Sequence, residues 1–354
     1  MTYFLKRGNT FNISGKIALD LHEVLPVGNY TVKQDSFGNF FLEMVDSFEV
    51  PSKLYGKTAR QTDRILRTFK SRSTSTGVML TGEKGSGKTM LAKNLALEAA
   101  KESIPTLIIN TPFCGDPFNT FIQSIDQPVL VIFDEFEKVY NAEQQEELLT
   151  LLDGVFSSNK LIIITCNDKW RVNEHMRNRP GRIFYMIDFK GLEADFIREY
   201  CEDNLVNKAH IDRLVQMAGT FSQFNFDMLK AVVEEMNRYD EAPNEAMEML
   251  NAKPEFSNNS RYTMKIFVNG KEVKDEDDAE DGEWNGNPLN GNVHIGYRDG
   301  SEEDQYDYKE AAFTVSDLKK IDHDGARFTF ENGNGLKLIL TKISEKESQY
   351  WNAF

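Results

Sequence analysis

Residues 82–89 read Gly-Glu-Lys-Gly-Ser-Gly-Lys-Thr, and no other part of the chain constrains its fold as strongly. The segment matches the phosphate-loop pattern, in which a glycine, four variable residues and Gly-Lys-Thr follow one another. Residues 78–80 before it are apolar and suit a buried strand, and apolar residues recur at helical spacing after it. This order places main-chain N–H groups at a helix N-terminus, where phosphates bind. The sequence therefore predicts a nucleoside triphosphate site.

The whole loop contributes to the predicted site. Glycines let the main chain curl around the anion along a path that a Cβ would obstruct. Lys88 reaches the β- and γ-phosphates, and the Thr89 hydroxyl is available as a Mg²⁺ ligand. We therefore expect ATP and Mg²⁺ as cofactors. The predicted nucleotide-binding residues are Gly82, Glu83, Lys84, Gly85, Ser86, Gly87, Lys88 and Thr89.

Two carboxylates follow the apolar run at residues 129–133. A continuous apolar run is typical of a parallel strand that is buried on both faces. Asp134 and Glu135 would then lie at the carboxyl edge of the sheet, where ligands of open α/β sheets bind. We expect Asp134 to hold the Mg²⁺ shell, and Glu135 to orient and deprotonate the attacking water.

A third apolar run, at residues 161–165, ends near Asn167. An amide at this point could position the water or contact the γ-phosphate, although asparagine at a strand end is more often a turn former. Further along stands the segment Asn-Arg-Pro-Gly-Arg, which contains Arg179 and Arg182. Its Pro-Gly turn holds both guanidinium groups on a stiff corner. We predict catalytic roles for Asn167, Arg179 and Arg182.

The segments GEKGSGKT, VLVIFDE, LIIITCN and NRPGR, in this order, resemble those of the AAA+ superfamily, and the RPGR corner resembles the AAA family proper. Residues 148–154, Leu-Leu-Thr-Leu-Leu-Asp-Gly, also resemble a segment that this family carries. The resemblance covers about residues 50–240. It implies an α/β fold with a parallel sheet of strand order 5-1-4-3-2, a helical lid and a homo-oligomer, most often a hexameric ring. In such rings, Arg179 and Arg182 would act on the neighbouring subunit's γ-phosphate.

The same resemblance raises the question of a substrate-gripping pore loop. Phe113, Cys114 and Gly115 are similar to the aromatic–hydrophobic–glycine triplet of that loop, and Phe118 lies close by. The stretch from Gly115 to Asp134 is several residues shorter than is usual in the family. The sequence leaves open whether these phenylalanines line a working pore or pack beneath a loop.

The pattern of turns and strands divides the chain into four predicted domains. Residues 1–52 are β-rich, with a hairpin whose strands lie on either side of residues 35–39. Residues 53–190 form the nucleotide-binding core, and residues 191–250 form the lid. Pro243, residues 253–254 and residues 258–260 are interpreted as linker. Residues 251–354 are acidic and β-rich, with hairpins around Asn-Gly at 269–270 and around residues 331–335.

Composition limits the classes of partner. A net charge of −15 disfavours tight binding to a nucleic-acid backbone. No apolar run approaches the ~20 residues that span a bilayer. The N-terminal residues lack the apolar stretch of a signal peptide, and three scattered cysteines suit a reducing cytoplasm. We therefore expect a cytoplasmic protein without a membrane partner.

Three function classes remain. The favoured one is a ring-forming AAA ATPase that remodels or threads a protein substrate of unknown identity. The second is a DNA-linked AAA+ loader or helicase loader, which the acidic charge and the RPGR corner disfavour. The third is a non-hydrolysing nucleotide switch. The full set of Lys88, Asp134, Glu135, Asn167 and the arginine pair argues against that class.

Overall fold

A computed structural model describes residues 2–7, 10–15, 22–153, 159–189, 191–221, 224–250, 260–275, 282–289, 292–298, 309–322 and 325–343. The chain divides into two compact units, Met1–Phe189 and Lys190–Phe354. No helix among the described residues combines the length and the hydropathy that a membrane span requires.

The first unit alternates strands and helices. Its strands are β1 (Thr2–Arg7), β2 (Thr10–Gly15), β3 (Asn29–Gln34), β4 (Phe40–Val45), β5 (Thr76–Gly82), β6 (Thr106–Ile109), β7 (Val129–Phe133), β8 (Lys160–Cys166) and β9 (Ile183–Phe189). Its helices are α1 (Thr58–Ser71), α2 (Lys88–Lys101), α3 (Asp116–Gln123), α4 (Phe136–Val139), α5 (Ala142–Glu147), α6 (Leu149–Leu152) and α7 (Glu174–Arg177). Strands β1 and β2 form a two-stranded antiparallel sheet of their own.

Seven strands form the main sheet, in the order β4-β3-β6-β7-β8-β5-β9. When β5 to β9 are counted as strands 1 to 5, the core reads 5-1-4-3-2 from its β9 end, which confirms the predicted order. All neighbours from β3 to β9 are parallel, and only β4 runs antiparallel to β3. The carboxyl ends of the parallel strands therefore meet at one edge of the sheet.

The core lies on both faces of this sheet. Every residue of β7 and β8 is buried, as their continuous apolar runs predict. One face packs against α1 and α2, whose buried residues include Phe69, Leu91 and Leu95. The other face packs against the short helices after β6 and β7, with Phe118 and Phe136 buried there. The two layers hold the strand ends in fixed register.

A polar network closes the amino-terminal edge of the sheet. The Lys160 side chain is fully enclosed, and its Nζ donates to the carbonyl oxygens of Ile125 (2.5 Å) and Gln127 (3.1 Å). Burial lowers the pKa of Lys160 to about 8. The Gln127 side chain in turn accepts from the N–H of Leu25 (2.7 Å) and donates to its carbonyl oxygen (3.1 Å). The segment before β3 is thereby tied to the core.

The hairpin β3–β4 differs from the prediction of a separate domain at residues 1–52. It has the predicted strands and turn, but β3 pairs in parallel with β6, beginning at Asn29 opposite Thr106. Tyr30 and Val32 are buried in the core of the main sheet. Alternation within a hairpin identifies an apolar face but not the element that covers it, so the sequence alone could not assign these strands to the nucleotide-binding sheet.

The second unit begins with four helices, α8 (Ala194–Asn204), α9 (Ile211–Thr220), α10 (Phe226–Tyr239) and α11 (Pro243–Met249). All four lie within residues 191–250, the range predicted for the lid. The sequence pattern places Pro243 in a linker, but Pro243 occupies the first turn of α11, where proline is well tolerated. The rest of the predicted linker, residues 253–254 and 258–260, lies outside the described residues except for Ser260.

The same unit contains the C-terminal β-rich region, so the predicted lid and C-terminal domain fall within one compact unit. The strands are β10 (Arg261–Val268), β11 (Lys271–Asp275), β12 (Gly282–Asn285), β13 (Val293–Arg298), β14 (Lys309–Phe313), β15 (Leu318–Asp322), β16 (Arg327–Glu331) and β17 (Leu336–Lys342). They form one antiparallel sheet with the order β14-β13-β11-β10-β17-β16-β15, and β12 also pairs with β10. Both predicted hairpins are present.

Candidate functional site

The phosphate loop joins the end of β5 to the start of α2. Gly82, Gly85 and Gly87 have φ angles of 131°, 78° and 105°, a region that residues with a Cβ rarely adopt. A Cβ on Gly82 would also lie 2.3 Å from the carbonyl oxygen of Phe189. The glycines of the motif are thus required by the main-chain path, which ends at the N-terminus of a 14-residue helix.

Lys88 lies at the centre of the loop. Its Nζ donates to the carbonyl oxygens of Gly82 (2.5 Å) and Glu83 (2.7 Å) and to Oδ1 of Asn167 (3.1 Å). Burial lowers the pKa of the Lys88 ammonium, and the negative groups around it oppose that effect. The Ser86 hydroxyl is buried and has no hydrogen-bond partner among the described residues. Together with the glycine path, this spare donor suits a phosphate.

The other loop residues are more open. Lys84 and Thr89 are exposed, and Glu83 is half-buried. Thr89 lies in the first turn of α2, directly after Lys88. A hydroxyl and a carboxylate are hard oxygen ligands of the kind that Mg²⁺ prefers, so Thr89 and Asp134 fit the predicted metal.

Asp134 and Glu135 follow the last residue of β7, at the carboxyl edge of the sheet. Oδ1 of Asp134 accepts a hydrogen bond from the Thr165 hydroxyl (2.6 Å), and its Oδ2 has no hydrogen bond from the described residues. Glu135 has φ 48° and ψ 43°, a left-handed conformation that is uncommon for a residue with a side chain. Its main-chain N–H donates to the same Thr165 hydroxyl (2.9 Å).

The Glu135 carboxylate is exposed and paired with a lysine. Nζ of Lys138, three residues further along, lies 2.5 Å from Oε1 of Glu135. This hydrogen bond is the main reason why the pKa of Glu135 lies below its ordinary value, and Lys84 and Lys88 add smaller effects. The carboxylate is therefore held in its ionised form.

Asn167 is fixed by a carboxylate that the sequence did not single out. Oε1 of Glu137 accepts from the main-chain N–H of Asn167 (2.9 Å), while Oε2 of Glu137 is buried without a partner among the described residues. Thr165 and Lys138 were missed as well. The contacts of Glu137 and Thr165 depend on the register of β7 against β8, which the sequence does not contain, whereas the spacing of three residues between Glu135 and Lys138 could have pointed to their ion pair.

The arginine corner, residues 178–182, lies at the opposite edge of the sheet. Ile183 at the start of β9 pairs with Gly77, whereas Phe189 at its end pairs with Gly82 of the phosphate loop. Five residue steps of a parallel strand span about 17 Å. The structure therefore brings together Lys88, Asp134, Glu135 and Asn167, but it does not bring either arginine to the phosphate loop of the same chain.

The two arginines of the corner differ from each other. Arg182 is only 8% exposed. Its Nε and Nη2 form a fork on the Asp153 carboxylate, with Nη2 2.6 Å from Oδ2, and its Nη1 donates to the carbonyl oxygen of His175 (2.7 Å). The fork lowers the pKa of Asp153. Arg179 is exposed, and its side chain forms no hydrogen bond or ion pair with the described residues.

The two phenylalanines of the possible pore loop pack into the protein. Phe118 is fully buried, and Phe113 is half-buried against the edge of the Phe40 ring at 5.2 Å between centroids. The Tyr140 hydroxyl lies 3.1 Å from the carbonyl oxygens of both Thr111 and Phe113. In this conformation neither aromatic ring is free to grip a substrate.

Comparison with known proteins supports the fold and its use in binding a nucleotide. The family described as "ATPase family associated with various cellular activities (AAA)" matches residues 78–190. This segment runs from β5 to the end of β9 and contains every predicted site residue.

Three relatives match parts of the chain. ATPase family gene 2 protein of Schizosaccharomyces pombe is 28% identical over 168 residues, 41% of this chain and 21% of that protein. A Corynebacterium jeikeium protein described as an AAA ATPase forming ring-shaped complexes is 28% identical over 133 residues, 30% of this chain and 26% of that protein. The sliding-clamp-loader large subunit of Escherichia phage RB69 is 33% identical over 103 residues, 27% of this chain and 31% of that protein.

The chain thus spans less than a third of the length of each of these relatives. The family match, the strand order and the geometry at the carboxyl edge of the sheet together identify residues 78–190 as a nucleotide-binding domain of the AAA type.

Proposed function

We propose that this protein binds ATP with Mg²⁺ and hydrolyses it at the carboxyl edge of the main sheet. The observation that carries the proposal is the meeting of Lys88, Asp134, Glu135 and Asn167 around one glycine-rich loop. These residues come from three separate parts of the sequence, and Lys88 contacts Asn167 directly at 3.1 Å. Their chemistry matches what phosphoryl transfer to water requires, namely positive charge, a metal ligand and a base.

Each residue has a distinct role in this proposal. Lys88 exchanges its contacts with the loop carbonyls for phosphate oxygens. Thr89 and Asp134 hold the metal, which neutralises charge on the phosphates when it is bound. Glu135, already ionised, turns from Lys138 to orient the attacking water and accept its proton. Asn167 contacts the water or the γ-phosphate from the end of β8.

We further propose that Arg179 completes the site of a neighbouring subunit. It is exposed, and it lies a full sheet length from the phosphate loop of its own chain, so an action on phosphate requires a second copy. A ring, most often a hexamer in this family, supplies such a neighbour. The description of the Corynebacterium jeikeium relative as ring-forming supports this assembly.

Arg182 receives a different role from the one that the resemblance implied. Its guanidinium is buried and engaged by Asp153 and by the carbonyl oxygen of His175. We propose that Arg182 holds the arginine corner in shape within its own subunit, so that Arg179 is presented outward.

We favour a protein-remodelling ATPase that works in the cytoplasm. The second candidate is a DNA-linked loader. The packing of Phe113 and Phe118 supports the second candidate, because neither ring is free to contact a polypeptide during threading. The similarity to a clamp-loader subunit supports it too. The net charge of −15 still favours a protein partner.

Two variants test the hydrolysis. Lys88→Ala removes the phosphate contact and should weaken ATP binding. Glu135→Gln should leave binding intact and reduce turnover about 10²–10⁴-fold, the scale of a lost general base. Wild-type turnover by purified Glu135→Gln would contradict the assignment of that carboxylate.

The Glu135→Gln protein also tests assembly and substrate class. Mass photometry with ATP should show rings, and a persistent monomer at micromolar concentration would contradict the neighbour's role. A pulldown with the same variant should retain a protein substrate. If DNA stimulates wild-type turnover and unfolded polypeptide does not, the loader function is the correct one.

A further inference from the structure

We propose that Thr165 is a positioning residue that sets both carboxylates of the site through its single hydroxyl group. The inference rests on the proposed hydrolysis and deepens it. Thr165 lies near the end of β8, the central strand between β7 and β5, and is buried. Its hydroxyl is the only described group that contacts both Asp134 and Glu135 by hydrogen bonds.

The direction of each hydrogen bond is fixed by chemistry. A hydroxyl has one proton to donate and lone pairs with which to accept. The main-chain N–H of Glu135 can only donate, so Thr165 accepts there at 2.9 Å. The one hydroxyl proton is then committed to Oδ1 of Asp134 at 2.6 Å. This hydrogen bond holds the Asp134 carboxylate in one orientation and leaves its Oδ2 available to the metal.

The bond to Glu135 has a second effect. At φ 48° and ψ 43° the main chain of Glu135 is in the left-handed region, which is unfavourable for a residue with a side chain. Such conformations persist when surrounding groups over-determine them. The bond from the Glu135 N–H to Thr165 ties this turn to the end of β8. The same hydroxyl therefore fixes the main-chain position of Glu135, from which the side chain of the general base extends.

The two tasks make a hydroxyl indispensable at this position. Valine would fill the same volume but could neither donate to Asp134 nor accept from Glu135. Serine would retain both bonds. Thr76 on the neighbouring strand β5 offers a matched control, because it is equally buried while its hydroxyl has no partner among the described residues and touches neither carboxylate.

The experiment compares Thr165→Val, Thr165→Ser and Thr76→Val. We expect Thr165→Val to lower kcat about 10–10²-fold, the scale of a small misplacement of reacting groups, with KM for ATP within a factor of about three. The Mg²⁺ concentration for half-maximal binding of a fluorescent ATP analogue should rise about 10-fold or more, because the metal-binding carboxylate loses its support. Thr165→Ser and Thr76→Val should behave like the wild type in both measurements.

Several outcomes would overturn the inference. These are a Thr165→Val protein with wild-type kcat and Mg²⁺ dependence, a Thr165→Ser protein as impaired as Thr165→Val, or an equal loss in Thr76→Val. Thermal unfolding checks that each variant is folded, and Thr165→Ala replaces Thr165→Val if the latter does not fold.

The Mg²⁺ titration also separates the two proposals. A wild type that binds ATP without hydrolysing it would contradict the proposed function, while the titration would still decide the role of Thr165. A wild type that binds no ATP would contradict both.

Discussion

The two edges of the main sheet hold their charged side chains in different ways. At the carboxyl edge, polar capacity is left over: the Ser86 hydroxyl and one oxygen of Glu137 have no partner among the described residues, and the carboxylate of Glu135 is exposed. At the amino-terminal edge, the guanidinium group of Arg182 forms a bidentate ion pair with the Asp153 carboxylate. The buried ammonium of Lys160 donates to two carbonyl oxygens there.

This difference distinguishes polar groups that are available to a ligand from polar groups that stabilise the fold. A buried polar group without a partner costs free energy, and a ligand bound at the phosphate loop would supply the bonds that are missing there. At the other edge, the charged groups of Arg182 and Lys160 are engaged by protein partners, so they stabilise the fold and offer little to a ligand. Arg179 differs from these two residues, because it is exposed and its side chain forms no hydrogen bond or ion pair with the described residues.

The largest effect is expected for Arg179→Ala. The rate of ATP hydrolysis in the assembled protein should fall about 10³-fold or more, as for other arginines that act on a neighbour's phosphate. ATP affinity of the single subunit should not change. Steady-state turnover of mixed Arg179→Ala and Lys88→Ala subunits measures the effect directly, because some interfaces then pair an intact loop with an intact arginine. If mixed rings form and no activity returns, Arg179 does not act on the neighbour's phosphate, and its role is structural like that of Arg182.

Arg182→Ala should act on stability. Removing one partner of a largely buried pair should lower the free energy of unfolding by about 2–4 kcal/mol, measured with denaturant. Arg179→Ala is the matched control and should stay within about 0.5 kcal/mol of the wild type, because its side chain is exposed. Equal stability of the two variants would contradict the contrast between these arginines.

The same pair predicts a dependence on pH. The pKa of Asp153 is lowered by Arg182, so the stabilisation is present above the ordinary carboxyl pKa and is lost as the pH falls through the lowered one. The difference in unfolding free energy between wild type and Arg182→Ala should therefore shrink in acid.

Lys160→Met should change how stability depends on pH in the alkaline range. The pKa of Lys160 in the folded protein is lowered from 10.5 to about 8, so between these values the unfolded chain binds more protons than the folded one. Wild-type stability should then rise between pH 8 and pH 10, by about 1–3 kcal/mol, because one pKa unit corresponds to 1.36 kcal/mol. The methionine variant should lack this rise. A parallel pH dependence of the two proteins would mean that Lys160 is better solvated than its burial indicates.

Lys138→Met should give the smallest effect, at the carboxyl edge. Lys138 is the main cause of the lowered pKa of Glu135, so its removal should move the acid limb of the kcat/KM profile to higher pH. Lys101→Met removes a similar exposed ion pair, that with Glu98, away from the site and should leave the profile unchanged. An unchanged profile in Lys138→Met would show that Glu135 is not the titrating base.

The parts of the site that could be predicted are those encoded by local patterns. The phosphate loop is set by its glycines and its flanking strand and helix, and the carboxylates by an apolar run that ends at Asp134. Thr165, Glu137 and the Asp153–Arg182 pair depend on the register between distant strands and on burial, which no window of sequence contains. For the same reason the sequence pattern predicts the β3–β4 hairpin but not its pairing with the main sheet.

The distance of one sheet length between the arginine corner and the phosphate loop has a consequence for stoichiometry. If each complete site takes its loop from one subunit and its Arg179 from the next, sites are counted by contacts and not by subunits. An open arc of n subunits then has n−1 complete sites, and closing it into a ring adds one more without adding a chain. Activity per subunit should therefore rise with protein concentration and reach its plateau only when the last gap closes.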